Sequence, residues 1–561
     1  MDPSKPSRPK PSRPPARLRT KTGCYKCRER RKKCDERRPI CSACERLHID
    51  CVYRTPSTAS GLSPPASHSS PAAAAHWQSP ESIVASPSDE NGNANANANA
   101  EAMAMAMVIA TPPRPSLLFR PEGLRTERDW NMFQYCSTRY LQLLMAPDAT
   151  SEFRDVSAVL AAGFEVPWVM HAALAPAALH ASHAALIPKE DAIIYTQSAL
   201  QGLRQAAQSS ENQPISNESF LAASLFLGVF EDFYSTLSSQ SLTHYRAIAR
   251  VLEEQAADIP RFELDRLSVF HRTLLDSVLY HFSTRLIFER DIDDICQSFP
   301  SQTVAKYIEA LDADRKAGRQ HASILPVLGK TPPELFLLIY QITWLSRQLP
   351  FHHGHNYTLA LQCLTELGHL QDTCSIFNSN DAVASQFDHD TRARNSTVAG
   401  KLYFLATRIF IGKVLDPGGV YSGSPEIQKL VEEGLELLRV FDGSAPCGQF
   451  ICWPILVLGC AACPIAAAET KLKLPRAPDQ TLRLEMRVLI QSQLVQIWKI
   501  SYSGYVRRTA SALEKIWKLP KLLAKVPGGR RSRDPEVEYD GLMALMSKTG
   551  VGTALPFQED G

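Results

Sequence analysis

GCYKCRERRKKCDERRPICSACERLHIDC, residues 23–51, holds six of the chain's 14 cysteines. Cys24, Cys27 and Cys34 are spaced C-x2-C-x6-C, and Cys41, Cys44 and Cys51 repeat that spacing after a joint of six residues. Four thiolates satisfy one tetrahedral zinc ion. Six cysteines therefore fill two zinc sites only if two sulfurs each serve both ions. One four-cysteine site with two cysteines left over is the alternative, and the symmetry of the halves argues against it. Soft thiolates without histidine favour zinc over magnesium or calcium. An iron–sulfur cluster is chemically possible but gives no reason for the repeat or for the basic run inside it. Each C-x2-C suits the start of a short helix, whose N–H groups stabilise thiolates. The first helix would carry Arg28-Glu-Arg-Arg-Lys-Lys33, with five basic residues of six. A module of about 35 residues has too little core to fold alone, so metal supplies its folding energy.

Charge is distributed to match. The 561 residues carry a net charge of only +3, yet residues 1–55 hold 17 Lys/Arg against 6 Asp/Glu, and the remainder holds 44 against 52. A basic head on a mildly acidic body points to a polyanionic partner. The N-terminal MDPSKPSRPKPSRPPARLRT has six prolines and no apolar stretch, so a secretory signal is not expected and the cysteines belong in a reducing compartment. Residues 1–20 are read as a basic, Pro-rich disordered tail and 21–55 as the cysteine module. Residues 56–118, with NANANANA at 93–100 and AMAMAM at 102–107, are read as a low-complexity linker that cannot offset its ordering entropy by burial.

From residue 119 to 561 the pattern is helical. VMHAALAPAALHASHAALI at 169–187, AIIYTQSALQGLRQAA at 192–207 and FLAASLFLGVFEDF at 220–233 are expected helices, the last fully buried. Ser424-Pro425-Glu426 is a helix start, with Ser as the cap, and it leads into Ile427, Leu430, Val431, Leu438 and Phe441 on one side. RLEMRVLIQSQLVQIWKI at 483–500 is amphipathic. ICWPILVLGCAACPIAAA at 451–468 has no charge, but it is short for a membrane span and carries two prolines. It is expected as a buried helix pair or a kinked helix in the core. Strand alternation is scarce. The expected fold is mostly α: a small zinc module with two short helices, a disordered linker and a large all-α domain.

Residues 23–51 closely resemble the fungal binuclear zinc-cluster (Zn2Cys6) transcription factors. The matching features include Gly23 before the first cysteine, Arg28 after the second, basic residues up to Cys34, Asp35 after it and Pro39 two residues before Cys41. The resemblance implies two zinc ions held by Cys24, Cys27, Cys34, Cys41, Cys44 and Cys51, with Cys24 and Cys41 bridging. It places base reading at Arg30 and Arg31, with Arg28 and Lys33 near phosphates, and CGG-type half-sites in double-stranded DNA. Many members carry Lys where this chain has Arg31; an Arg fork also binds guanine O6 and N7 together. Residues 119–561 resemble, more loosely, the fungal-specific regulatory domain, through Leu179-His180-Ala181, Glu231, His244 to Ala247 and Trp453-Pro454 with Gly459-Cys460. Members often have a Glu after that cysteine; here Ala461 and Ala462 follow.

Catalytic motifs are scarce. Leu328-Gly329-Lys330-Thr331 lacks the earlier Gly of a phosphate loop, and neither H-E-x-x-H nor G-x-S-x-G occurs. Cys460 and Cys463 read as buried structural cysteines, and His352, His353 and His355 as exposed. The expected protein is therefore no enzyme but a nuclear, sequence-specific DNA-binding regulator of RNA polymerase II genes, with transcription machinery or co-regulators as partners and no membrane. The alternative is a zinc module that acts through protein contacts, with the body as an interaction or ligand-sensing domain. Residues 56–75 contain one Leu and four prolines, so no coiled-coil seam follows the cysteines, and any homodimer must come from the helical domain.

Overall fold

In the computed structural model, the described residues are Cys24, Cys27, Cys34, Asp35, Arg37, 41–47 and most of 121–546. Within that last span 147, 209–216, 235–240, 259–267, 290–291, 312–323, 352–353, 379–388, 421, 447, 464–479 and 524–540 lie outside the description. The chain divides into two units, one with the cysteine module and one with the helical body. No strand occurs among the described residues, only an isolated bridge between Leu325 and Gly329. Among its described residues the module shows the short helix α1 (Ser42–Glu45), and Cys27 is also helical.

The body begins with α2 (Glu127–Tyr135). Thr126 and Asp129 close a reciprocal cap there, each side chain accepting the other's backbone N–H. A π-turn, Cys136–Tyr140, extends the helix. Then come α3 (Val156–Glu165), α4 (Pro167–His183), α5 (Lys189–Gln208) and α6 (Asn217–Tyr234). Helix α4 packs against both α5 and α6. Its buried alanines at 172, 173, 175, 177, 178 and 181 keep its surface shallow enough for both neighbours. It ends four residues before the hydrophobic stretch does, because Ala185 turns into the left-handed region (φ 57°).

Next are α7 (Ser241–Asp258), α8 (Val269–Arg285), α9 (Ser301–Leu311), α10 (Pro333–Arg347), α11 (Gly354–Thr373), α12 (His389–Leu415) and α13 (Pro425–Val440). Ser424 does occupy the N-cap of α13 and Pro425 its first position, but the serine side chain makes no capping hydrogen bond. The expected face is buried, from Ile427 and Val431 through Leu438 to Phe441, with Leu430 half-buried.

The uncharged stretch at 451–468 is described as far as Cys463. It forms one helix, α14 (Cys452–Ala461), and all ten residues are buried. Pro454 falls in the first turn, where its missing N–H has no partner to lose. Helices α12 and α13 flank α14, together with α15 (Gln480–Ser501), α16 (Gly504–Leu523) and α17 (Gly541–Leu545). Gly434 and Gly459 permit close approach: a Cβ at either would fall 2.8 Å or less from Leu458 or Leu513. Trp517 Nε1 donates to the Gly459 carbonyl at 2.8 Å. No helix among the described residues is long and apolar enough to cross a membrane.

Charged side chains tie these layers together. Asp232, on α6, is fully enclosed. Its carboxylate accepts from Arg285 Nε of α8 at 3.1 Å and from the Ser241 hydroxyl of α7 at 2.7 Å. His281 Nδ1 of α8 lies 2.9 Å away and Arg508 Nη2 of α16 lies 3.9 Å away. Burial opposes ionisation of Asp232, but the Arg285 guanidinium, His281 and Arg508 hold the carboxyl well below the usual carboxylate range. Arg285 stacks on the Tyr505 ring, 3.4 Å from its centroid. A second buried acid, Asp276 of α8, accepts the N–H groups of Val327 (2.6 Å) and Leu328 (3.3 Å). The amides of the Leu328–Thr331 turn that would face a phosphate are thus engaged in part by a carboxylate.

Replacing Asp232 with Asn should destabilise the body by ~3–5 kcal/mol in urea unfolding, because two buried guanidinium groups lose their counter-charge. A loss below about 1 kcal/mol would show that the tyrosine rings and the Thr284 hydroxyl suffice to hold Arg285.

Burial pushes the Asp276 carboxyl up to about 7, outweighing its two N–H donors. A raised carboxyl stabilises the fold at low pH, and that contribution is lost as pH rises from the ordinary carboxylate range through about 7. The stability of the Asp276→Asn variant relative to the parent should therefore improve between pH 5 and pH 8. An unchanged difference would mean that the N–H donors fully offset burial.

Candidate metal centre and nucleic-acid interface

The short spacings within 24–44 force five thiols into one cluster. Cys24, Cys27, Cys41 and Cys44 are fully buried and Cys34 nearly so. The ligand atoms of Cys24, Cys27, Cys34 and Cys41 all lie within 4.8 Å of one another. Cys24 Sγ is 3.7 Å from Cys41 Sγ and 3.6 Å from Cys44 Sγ, and Cys27 Sγ is 3.5 Å from Cys41 Sγ. A tetrahedron with zinc–sulfur bonds of about 2.3 Å has edges of about 3.8 Å, so these separations fit thiolates gathered around zinc. A disulfide needs sulfurs about 2.05 Å apart, and none of these pairs approaches that.

Backbone geometry favours the charged sulfur at Cys24, Cys34 and Cys41, while burial pushes the Cys27 thiol up. Cys24 Sγ accepts the Cys27 N–H at 3.4 Å, and Cys34 Sγ accepts the Cys24 N–H at 3.5 Å. Cys41 precedes α1 as its N-cap residue. Burial opposes ionisation of Cys41, yet the Cys44 N–H and the neighbouring thiols draw its pKa down to about 6.

Asp35 closes the second half of the cluster. Its carboxylate accepts the Ser42 N–H at 3.2 Å and the Ser42 hydroxyl at 2.5 Å, which lowers its pKa. It thereby fastens the stretch after Cys34 to the start of α1, beside Cys41 and Cys44. Sequence reasoning recognised the aspartate as part of a pattern but assigned it no role; its only signal was an acid seven residues ahead of a serine at a helix start. Arg37 Nη1 lies 3.7 Å from Glu45 on the exposed side, a pair worth little in solution. Cys51 and the basic residues Arg28, Arg30, Arg31 and Lys33 lie outside the described residues.

In the body, Cys460 and Cys463 are both buried, and Cys463 donates to the Ile516 carbonyl at 3.5 Å. His355 is exposed in the first turn of α11, while His352 and His353 lie outside the described residues. Asn395 is buried and clasps the backbone of Asp442, accepting its N–H at 3.0 Å and donating to its carbonyl at 2.9 Å.

Two family models match. Residues 22–60 match the fungal Zn(2)-Cys(6) binuclear cluster domain, and residues 131–524 match the fungal specific transcription factor domain. The chain belongs to the fungal-specific transcription factor family. The cluster domain binds two zinc ions, which the thiol geometry accommodates. The relatives resemble this chain over short stretches. Transcriptional regulatory protein pro1 of Neurospora crassa is 58% identical over 38 residues, 7% of this chain and 6% of that protein. The Zn(2)-C6 fungal-type transcription factor afumD of Aspergillus fumigatus is 47% identical over 49 residues, 9% of this chain and 13% of its own length. Transcriptional regulatory protein UME6 of Saccharomyces cerevisiae is 60% identical over 35 residues, 6% of this chain and 4% of that protein. The chain thus covers only small fractions of these curated relatives. No solved structure matches.

The purified chain should release two zinc ions when its thiols are titrated, and the module should unfold with chelator. Cys24→Ser and Cys41→Ser should be the most damaging changes, and Asp35→Ala should speed zinc loss to a chelator without changing the ratio. A measured ratio of one zinc would overturn the shared-sulfur arrangement.

Proposed function

We propose that this protein is a nuclear, sequence-specific DNA-binding regulator of RNA polymerase II genes. The observation that carries the proposal is the buried cluster of Cys24, Cys27, Cys34, Cys41 and Cys44, with five of the six residues at 28–33 basic and lying between two of its members. The basic segment lies between two cysteines of the cluster, and its length is on the scale of a major-groove reader. Cys51 completes the six-cysteine ligand set, with Cys24 and Cys41 serving both ions. Zinc supplies folding energy and charge neutralisation to the thiolates, and the chain's own residues make the DNA contacts. Arg30 and Arg31 read base edges in CGG-type half-sites, and Arg28 and Lys33 contact phosphates.

The proposed organisation is a basic tail at 1–20, the DNA-binding module at 21–55, a linker at 56–118 and the regulatory body at 119–561. The body is where co-regulators or transcription machinery bind and where any homodimer forms. A flexible linker of some 60 residues spans about 40–45 Å, so it tolerates several half-site spacings. Similarity to named transcriptional regulators over the module supports DNA as the partner and the nucleus as the place of action.

Random-site selection with the full chain should enrich a CGG-type sequence, and Arg31→Ala should weaken binding by ~1–3 kcal/mol while relaxing preference at one G·C pair. A uniform loss of affinity across sequences would remove base reading from Arg31. Failure to enrich any sequence would favour a module that contacts protein instead.

A further inference from the structure

Helix α11 leaves an apolar line uncovered. Its inner side, Ala360, Cys363, Leu367 and Leu370, is buried, and the helix packs on α10 and α12. Beside that face Tyr357, Leu361 and Leu364 are 45%, 41% and 39% exposed. Among the described residues ten large apolar side chains are so exposed, and three of them share this helix, which makes a patch instead of scatter. With Gly354 and Gly368 they recur at intervals of three, four, three and four residues, the spacing of a helix–helix seam. The Phe351 ring meets the Tyr357 ring edge-on, 6.4 Å between centroids, and steadies it. A Cβ at Gly354 or Gly368 would meet nothing within 4 Å. Glycine weakens a helix interior, and no close approach by a described residue requires it at 368. An approach from outside the chain supplies the reason.

The pattern of the seam selects its occupant. In either direction it reads glycine, three large apolar residues, glycine, with Leu361 at the centre. A second copy laid antiparallel therefore meets it in register, each glycine opposite a glycine and each Tyr357 near the partner's Leu364. Charge points the same way. Residues 354–365 contain no Asp, Glu, Lys or Arg, and the two acids of the helix, Glu366 and Asp372, are exposed in its second half. Antiparallel pairing sets those acids beside the uncharged first half of the other copy, toward the positive end of its helix dipole. Parallel pairing would set like charges together. The helix has no Lys or Arg to attract a nucleic acid or an acidic partner. Its 20 residues make a rod about 30 Å long and about 10 Å wide, so each copy contributes on the order of 300 Å², less than a permanent dimer needs.

We propose that α11 is a homodimer interface, its Tyr357–Leu361–Leu364 seam packing antiparallel on the same seam of a second copy in a weak, reversible dimer. The inference rests on the proposed homodimer through the helical body. Its failure leaves the DNA-binding proposal standing, because one module can read a single half-site. Two chains bound at neighbouring sites raise each other's effective concentration toward the millimolar range, so a weak contact suffices there.

The full-length, zinc-loaded protein is sedimented without DNA over a concentration series. The expected result is a monomer–dimer equilibrium with a Kd on the order of 10–100 µM. Leu361→Glu, which places like charges at the centre of the seam, should weaken association about tenfold or more, with the helical circular dichroism kept because the side chain is already exposed. Leu484→Glu, at another exposed leucine, on α15, should leave association unchanged. Gly368→Gln should raise the thermal midpoint of the body and yet weaken the dimer several-fold, a pair of opposite effects that a purely local role for the glycine does not produce. A monomer at every concentration up to about 200 µM would overturn the proposal. So would a dimer that survives Leu361→Glu or one that is lost in Leu484→Glu. A dimer that survives Gly368→Gln would overturn the antiparallel register.

Discussion

The carboxylate of Asp232 lies where four helices of the body meet. It receives Arg285 from α8, the Ser241 hydroxyl from α7 and the field of Arg508 from α16, while its own helix α6 packs on α4. Removed from water, each of these groups alone would be strongly unfavourable, and together they hold one arrangement. A hydrophobic contact tolerates sliding of one helix past its neighbour; a hydrogen-bonded charge does not. The apolar layers supply most of the stabilisation, through buried runs such as 221–230 and 452–461, and the charge cluster fixes their relative register.

The cysteine module follows a different physical rule. Among the described residues its interior is a set of thiols with Ala43 against them, and a module of about 35 residues has too little apolar surface to fold alone. Metal–thiolate bonding takes the place of a core, and the N–H groups of Cys24, Cys27 and Cys44 are turned toward sulfur. Asp35 adds a side-chain clasp between the halves, from the residue after Cys34 to the first residue of α1. Burial and charge thus work in opposite senses in the two units. In the body a carboxylate is kept ionised by arginines, and in the module thiolates are kept ionised by backbone dipoles and metal.

This difference suits a division of labour between recognition and response. A small, metal-braced basic segment can present arginines to DNA without a large scaffold. A large helical body carries the apolar core that the module lacks. Linking the two by a stretch of Ala, Asn, Pro and Ser lets each keep its own stabilising chemistry.

Much of this protein was legible in the amino-acid sequence because the deciding signals are local. The cysteine spacing pointed to a metal centre, because soft thiolates repeated at C-x2-C spacing suit zinc, while the shared-sulfur reading came from the symmetry of the halves together with the resemblance to the zinc-cluster family. Apolar periodicity determined the helices, as at 220–233 and 483–500, because a helix face depends only on residues three and four apart. The sequence also showed a charge-free stretch at 451–468, but only packing on all sides made its described part a fully buried central helix. The Asp232–Arg285–Arg508 cluster was decided by tertiary structure alone. Arg285 and Arg508 stand 53 and 276 residues from Asp232, and although 220–233 is expected to be buried, nothing in the sequence pairs Asp232 with either arginine. The seam on α11 belongs partly to the same class. The spacing of Gly354, Tyr357, Leu361, Leu364 and Gly368 lies in the sequence. That this line stays uncovered while Ala360, Cys363 and Leu367 are buried was decided only by the packing of α10 and α12, because exposure is a property of the assembled surface and not of one sequence segment.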